Sequence, residues 1–148
     1  MSFNLDDAVA LATFAHRHQL DKAGLKYINH PIRVMESVKQ QGVMPYVQMA
    51  AVLHDVIEDT PFTAEILLAL GVPEATVEIV TLVSKVPGQS NEDYYRAIRL
   101  NDGARIVKLS DMEDNSQQWR LSYLPVETQD RLRNKYDKGR KFLTFKLD

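Results

Sequence analysis

The sequence contains no cysteine. That absence excludes disulfides, thiolate-held zinc and cysteine nucleophiles together, so any metal must be held by histidine and carboxylate. No apolar run approaches the ~20 residues that cross a bilayer. The N-terminal stretch MSFNLDDAVALATFAHRHQ has acids early and no basic region ahead of an apolar core, so no signal peptide is expected. An excess of either charge is also missing: 18 Lys and Arg face 20 Asp and Glu, for a net charge of -2. Such a balance advertises neither a nucleic-acid nor a membrane partner, and neither is expected. Repeats and low-complexity linkers are absent as well. What remains, 148 residues at 45% hydrophobic and 26% charged, reads as one globular domain over residues 1–148, cytoplasmic by default.

Every periodic stretch is helical, and no strand pattern of any length appears. A first helix is expected over residues 5–19 behind an Asn4 cap, and a second opens near Pro31 and closes at Gly42. The next begins after Pro45 and runs through His54 to the Thr60-Pro61 boundary, where the residue before proline leaves the helical region. Further helices are expected over 63–71, 74–84, 90–100, through ARIVKLSDMEDN after a turn at 101–103, and over 127–142. The predicted fold class is all-α, with about seven helices. On its own such a fold is equally compatible with a scaffold or a binding module.

The segment AVLHDVIEDT sets the chemical question, because it places one imidazole and three carboxylates in an otherwise apolar helix. At 3.6 residues per turn His54 lies above Glu58 and Asp55 above Asp59, so the four share one sector. An unpaired buried carboxylate costs several kcal/mol, so the sector must face water, meet a basic partner or hold a cation. A His-Asp pair followed by Glu-Asp favours the cation, since neutral imidazole and carboxylate are good ligands for divalent metals. His16 and His18, in HRHQ, are expected to face water at the end of the first helix. His30 sits at a helix start directly before Pro31, and Asp111 lies among Ile106, Val107 and Leu109 with Asp114 and Asn115 close behind. Lys108, three residues before Asp111, is its mundane ion-pair partner. A His from one helix, a His-Asp pair from another and an Asp from a third would suit Mn²⁺, Fe²⁺ or Zn²⁺ better than Mg²⁺.

These segments, AHRHQLDKAGLKYINHPIRV, AAVLHDVIEDTPFT and RIVKLSDMEDN, resemble in order and spacing the HD-domain metal-dependent phosphohydrolases. Within that superfamily they are similar to the hydrolase domain of RelA/SpoT-type alarmone enzymes and their small stand-alone relatives. The resemblance implies one Mn²⁺ on His30, His54, Asp55 and Asp111, with Glu58 and Asp59 serving the catalytic water and Asn115 near the substrate's sugar. The reaction implied is release of pyrophosphate from the 3′ position of (p)ppGpp, a small-molecule nucleotide. Lys22, Lys26, Arg33, Arg105 and Lys108 are the candidate phosphate-binding cations. The pattern departs from the alarmone enzymes at Asp21, where they carry Arg, and at Met112-Glu113-Asp114, where they carry a basic residue after the fourth ligand. Both departures favour a less anionic substrate, so another phosphate ester is the alternative, and a non-catalytic nucleotide or metal sensor the rival from a different class. The chain is too short to include the nucleotidyltransferase half of the long bifunctional enzymes, so alarmone synthesis is not expected.

Overall fold

The computed structural model describes residues 2–144, apart from the side chain of Gln118. Among the described residues the chain forms ten helices: α1 (Leu5–Ala15), α2 (Asn29–Gln40), α3 (Pro45–Leu53), α4 (Val56–Asp59), α5 (Ala64–Ala69), α6 (Glu74–Val83), α7 (Asn91–Arg99), α8 (Asp102–Asn115), α9 (Gln118–Leu121) and α10 (Val126–Thr144). The all-α class expected from the periodicity is what forms. The helix number is higher than about seven because one expected helix is broken in two and α9 has too few residues to leave a periodic signal.

Local chemistry accounts for most boundaries. Asn4 and Asp7 form a reciprocal capping box at α1, and Thr63, Ser90 and Asn101 accept from the third residue onward at α5, α7 and α8. Pro45 opens α3, where its missing N–H leaves nothing unpaired. Gly42, at φ 73, ends the α2 region in the left-handed conformation that other residues avoid. Two expected boundaries move. Helix α1 stops at Ala15, short of Gln19, and the expected turn at 101–103 is instead the Asn101 cap followed by the first turn of α8.

Helix α3 is the centre of the molecule. It packs against α1, α2 and α6, while α8 packs against α2, α6 and α7, and α10 lies over α7 and α8. Residues 49–53 of α3 are all buried, so this helix is apolar on every side, as an interior helix must be. Burying α3 completely forces whatever lies at its C-terminal end, His54 and Asp55, into the interior too. The chain tightens there: the His54 N–H bonds to the Ala51 carbonyl three residues back, Asp55 leaves the helical region at φ -100 and ψ 0, and α4 restarts at Val56. The single helix expected through residue 60 is therefore kinked at the His-Asp pair. Its four polar groups do not share one sector: His54 and Asp55 are buried, whereas Glu58 and Asp59 are exposed.

Leu53 is fully buried immediately before His54. Its replacement by alanine is expected to cost about 2–5 kcal/mol of unfolding free energy, measured by urea denaturation in the presence of a chelator, and a loss under 1 kcal/mol would show that α3 is not tightly packed.

Candidate metal centre

Three helices converge on one buried point. His30 enters from the first turn of α2, His54 and Asp55 from the α3–α4 break, and Asp111 from the middle of α8. His30, His54 and Asp111 bring ligand-type atoms within 4.8 Å of one another. Asp55 completes the group from one side: its Oδ2 lies 3.0 Å from His54 Nε2 and 3.8 Å from His30 Nε2. All four are buried.

The orientation of the two imidazoles is fixed from behind. His54 Nδ1 donates to the Ala51 carbonyl at 2.6 Å. His30 Nδ1 donates to Asp114 Oδ2 at 2.6 Å. In a neutral imidazole the opposite nitrogen then carries a lone pair. Both Nε2 atoms face the same carboxylates: His30 Nε2 is 2.8 Å from Asp111 Oδ1, and His54 Nε2 is 3.3 Å from it. His54 Nε2 is buried with no partner in hydrogen-bond geometry. Acceptors facing acceptors in a dry interior repel unless a proton or a cation stands between them. Two imidazole nitrogens and two carboxylate oxygens form a donor set suited to a divalent transition metal, with the Nδ1 bonds supplying the supports that such histidines ordinarily have.

Protons register the same demand. Burial opposes the imidazolium form of both histidines, yet Asp55 and Asp111 hold His54 well above its ordinary value, and hydrogen bonds to Asp111 and Asp114 raise His30. Burial also opposes ionisation of Asp111, but Lys108 and His54 keep that carboxyl well below the usual carboxylate range. Lys108 Nζ sits 3.0 Å from Asp111 Oδ2, so the mundane partnership expected from sequence forms, and it leaves the other oxygen, Oδ1, to the histidines.

The exposed pair lies at the rim. Glu58 Oε1 accepts from the Lys85 backbone N–H at 3.3 Å, and Asp59 Oδ2 lies 3.4 Å from the Tyr27 hydroxyl. Partial burial and the neighbouring Asp55 charge raise both carboxyls above their ordinary values. A carboxylate made more basic in this way is a better proton acceptor near neutral pH.

Of the expected phosphate-binding cations, only some are free to act. Lys22 and Lys26 are exposed. Arg33 is committed to Asp114, 2.8 Å from Nε to Oδ1, and Arg105 pairs with Asp102 at 2.8 Å. Asn115 donates to Asp111 Oδ1 at 3.0 Å and also lines a neighbouring cleft. That cleft, of about 260 Å³, is walled by Tyr27, Trp119, Tyr123 and Tyr136 and by the polar groups of Asp21, Lys22, Asn115 and Arg120.

His16 does not face water. It is 1% exposed, its ring lies 5.1 Å from that of Tyr27, and its Nδ1 pairs with Gln19 Oε1 at 2.7 Å. Gln19 in turn donates to the Asp59 carbonyl at 2.6 Å, so HRHQ folds back to brace the 54–59 segment instead of ending a surface helix. His18 is exposed, as expected. Sequence reasoning passed over Tyr27, whose hydroxyl donates to Asp55 Oδ2 at 2.6 Å. It also assigned no role to Asp114, although its spacing of three from Asp111 puts both on one face of α8. Arg120, on the four-residue α9, carried no signal.

A buried His₂Asp₂ cluster at the meeting of three helices defines an all-α domain built to bind a divalent metal. The chain belongs to the HD domain family, whose pattern matches residues 27–132. A guanosine-3′,5′-bis(diphosphate) 3′-pyrophosphohydrolase of Haemophilus influenzae is 42% identical over 76 residues, 51% of this chain and 11% of that protein. One of the same name from Spiroplasma citri is 33% identical over 135 residues, covering 84% and 18% of the two chains. A solved structure described as a metazoan ortholog of SpoT that hydrolyzes ppGpp superposes with a TM-score of 0.73 at 27% identity, over 97% of this chain and 84% of that one. The chain spans less than a fifth of the length of these two curated relatives. Among the described residues no helix is long and apolar enough to cross a membrane.

The raised histidines give a pH dependence of definite sign. A folded-state value above the unfolded one stabilises the metal-free protein below about pH 6.5, and that contribution is lost as pH rises through the folded value. The melting temperature of chelated protein is expected to fall as pH rises from about 6.5, while the increment added by a divalent metal grows, because metal competes with the same protons. Scanning calorimetry with and without chelator checks both slopes, and an increment that shrinks with rising pH would contradict a histidine-ligated metal.

Proposed function

We propose that the protein is a metal-dependent phosphohydrolase that removes pyrophosphate from the 3′ position of (p)ppGpp, with His30, His54, Asp55 and Asp111 holding one Mn²⁺. The observation that carries this reading is the pair of imidazole nitrogens aimed at two buried carboxylates, with two further carboxylates at the rim. A divalent cation bound there supplies Lewis acidity toward a phosphoryl oxygen and lowers the pKa of a water. The chain's own residues do the rest. Glu58 and Asp59 accept a proton from the attacking water, the bond between the 3′ oxygen and its phosphorus breaks, and the 3′ oxygen leaves as a hydroxyl, giving GDP or GTP and pyrophosphate.

The aromatic cleft beside the cluster suits a nucleoside, since a flat base stacks on Trp119 or the tyrosines while Asn115 meets the sugar. Tyr27 and Asn115 join the two regions, because each lines the cleft and bonds to a carboxylate of the cluster. Lys22 and Lys26 are the exposed cations among those expected to receive phosphates. Arg33 and Lys108 act through the carboxylates they hold.

Asp21 supports one alternative, a less anionic phosphate ester. Its carboxylate lies in the cleft wall, but it is engaged: Oδ1 accepts from the backbone N–H groups of Ala23 and Leu25, both at 2.9 Å, and Oδ2 lies 4.0 Å from Arg120. An acid occupied in this way repels a tetraphosphate less than a free one would.

Incubation of Mn²⁺-loaded protein with ppGpp is expected to yield GDP and pyrophosphate. Glu58→Gln should lower kcat by about 10²–10⁴, and Asp111→Ala should abolish turnover together with metal retention. Turnover of other nucleotide phosphate esters with none of ppGpp would shift the assignment to the alternative. Saturable nucleotide binding without turnover of anything would leave a sensor. Trp119, the single tryptophan, stands in the cleft wall, so its fluorescence should respond to nucleotide binding in either case.

A further inference from the structure

Behind the cluster lies a set of charged groups that the proposed reaction does not use. Asp114 is buried and has three partners. Its Oδ2 receives His30 Nδ1 at 2.6 Å, its two oxygens receive Arg33 Nε at 2.8 Å and Nη2 at 3.2 Å, and Oδ2 also receives Arg120 Nη1 at 2.7 Å. The same Arg120 nitrogen donates to Asn115 Oδ1 at 2.8 Å and lies 3.1 Å from His30 Nδ1. Asn115 passes the contact on, with its amide donating to Asp111 Oδ1 at 3.0 Å. One guanidinium thus grips two chains of hydrogen bonds, one ending on His30 and the other on Asp111. Its other terminal nitrogen reaches toward Asp21, and the whole side chain lines the aromatic cleft.

We infer that Arg120 is a positioning residue that sets the orientation of His30 through Asp114 and of Asp111 through Asn115, and so ties the cleft wall to the metal centre. The inference rests on the reading of His30 and Asp111 as metal ligands. An ion pair serving stability alone would need only one of these contacts. A planar guanidinium reaches several acceptors in fixed directions, which an ammonium cannot reproduce. Partners one step removed from a metal ligand typically change metal affinity 10- to 100-fold when removed.

Two readouts on the metal-free protein decide the matter, neither requiring substrate. Titration with Mn²⁺ alone is expected to give a dissociation constant about 10- to 100-fold weaker for Arg120→Ala and for Asp114→Ala, partly recovered in Arg120→Lys and Asp114→Asn. The neighbouring exposed Glu113→Gln should match wild type. In nuclear magnetic resonance spectra the Nδ1 proton of His30, slowed in exchange by Asp114, should be visible in wild type and in Glu113→Gln and lost in Arg120→Ala. Circular dichroism at the same temperature establishes that each variant is folded, and Arg120→Lys serves if the alanine variant is not. A folded Arg120→Ala protein that binds Mn²⁺ within twofold of wild type, or that keeps the His30 proton, would overturn the inference. Wild type that binds no Mn²⁺, with the His30 proton still lost in the variant, would instead remove the metal reading and leave Arg120 as the residue that positions His30.

Discussion

Everything about this site follows from an excess of acceptors in a dry place. His30 and His54 each spend one ring nitrogen on a bond that fixes the ring, and each turns the other toward the carboxylates of Asp55 and Asp111. Such an arrangement is repulsive when both rings are neutral. Only a proton or a cation makes it favourable, and the upward shift of both histidines is the protonic version of that demand. The fold supplies the confinement. Helix α3 is buried on all sides, so the His-Asp pair at its end cannot escape to water, and α2 and α8 close over it.

The same constraint explains how charge is distributed outward. Asp111 divides its oxygens, one toward Lys108 and one toward the histidines and Asn115. Asp114 is ringed by His30, Arg33 and Arg120. Positive charge inside the molecule is thus spent on fixing the acids, and cations for a substrate must come from the exposed lysines. The acids that remain open to water, Glu58 and Asp59, are those a hydrolytic reaction needs at the surface of the site.

Much of this was legible in the sequence. The all-α class came from periodicity, the helix starts from Asn4, Thr63 and Ser90, and the four convergent residues from motifs that survive as short strings: YINHP, LHD and KLSD. What was not legible had physical reasons. The break between α3 and α4 depends on a His54 side chain bonding its own preceding turn, which no apolar repeat encodes. His16 was misplaced because a polar tripeptide at a helix end looks solvated until Tyr27 folds over it. Arg120 lies on a helix of four residues, too short for any period, and its importance is purely tertiary.

The centre is best tested by the electron paramagnetic resonance of Mn²⁺ bound to the unmodified protein. One ion per chain, with hyperfine coupling to two imidazole nitrogens and one of these couplings lost in His54→Ala, is the result expected. A spectrum of freely hydrated Mn²⁺, or of a bound ion with no nitrogen coupling, would contradict a metal held by His30 and His54.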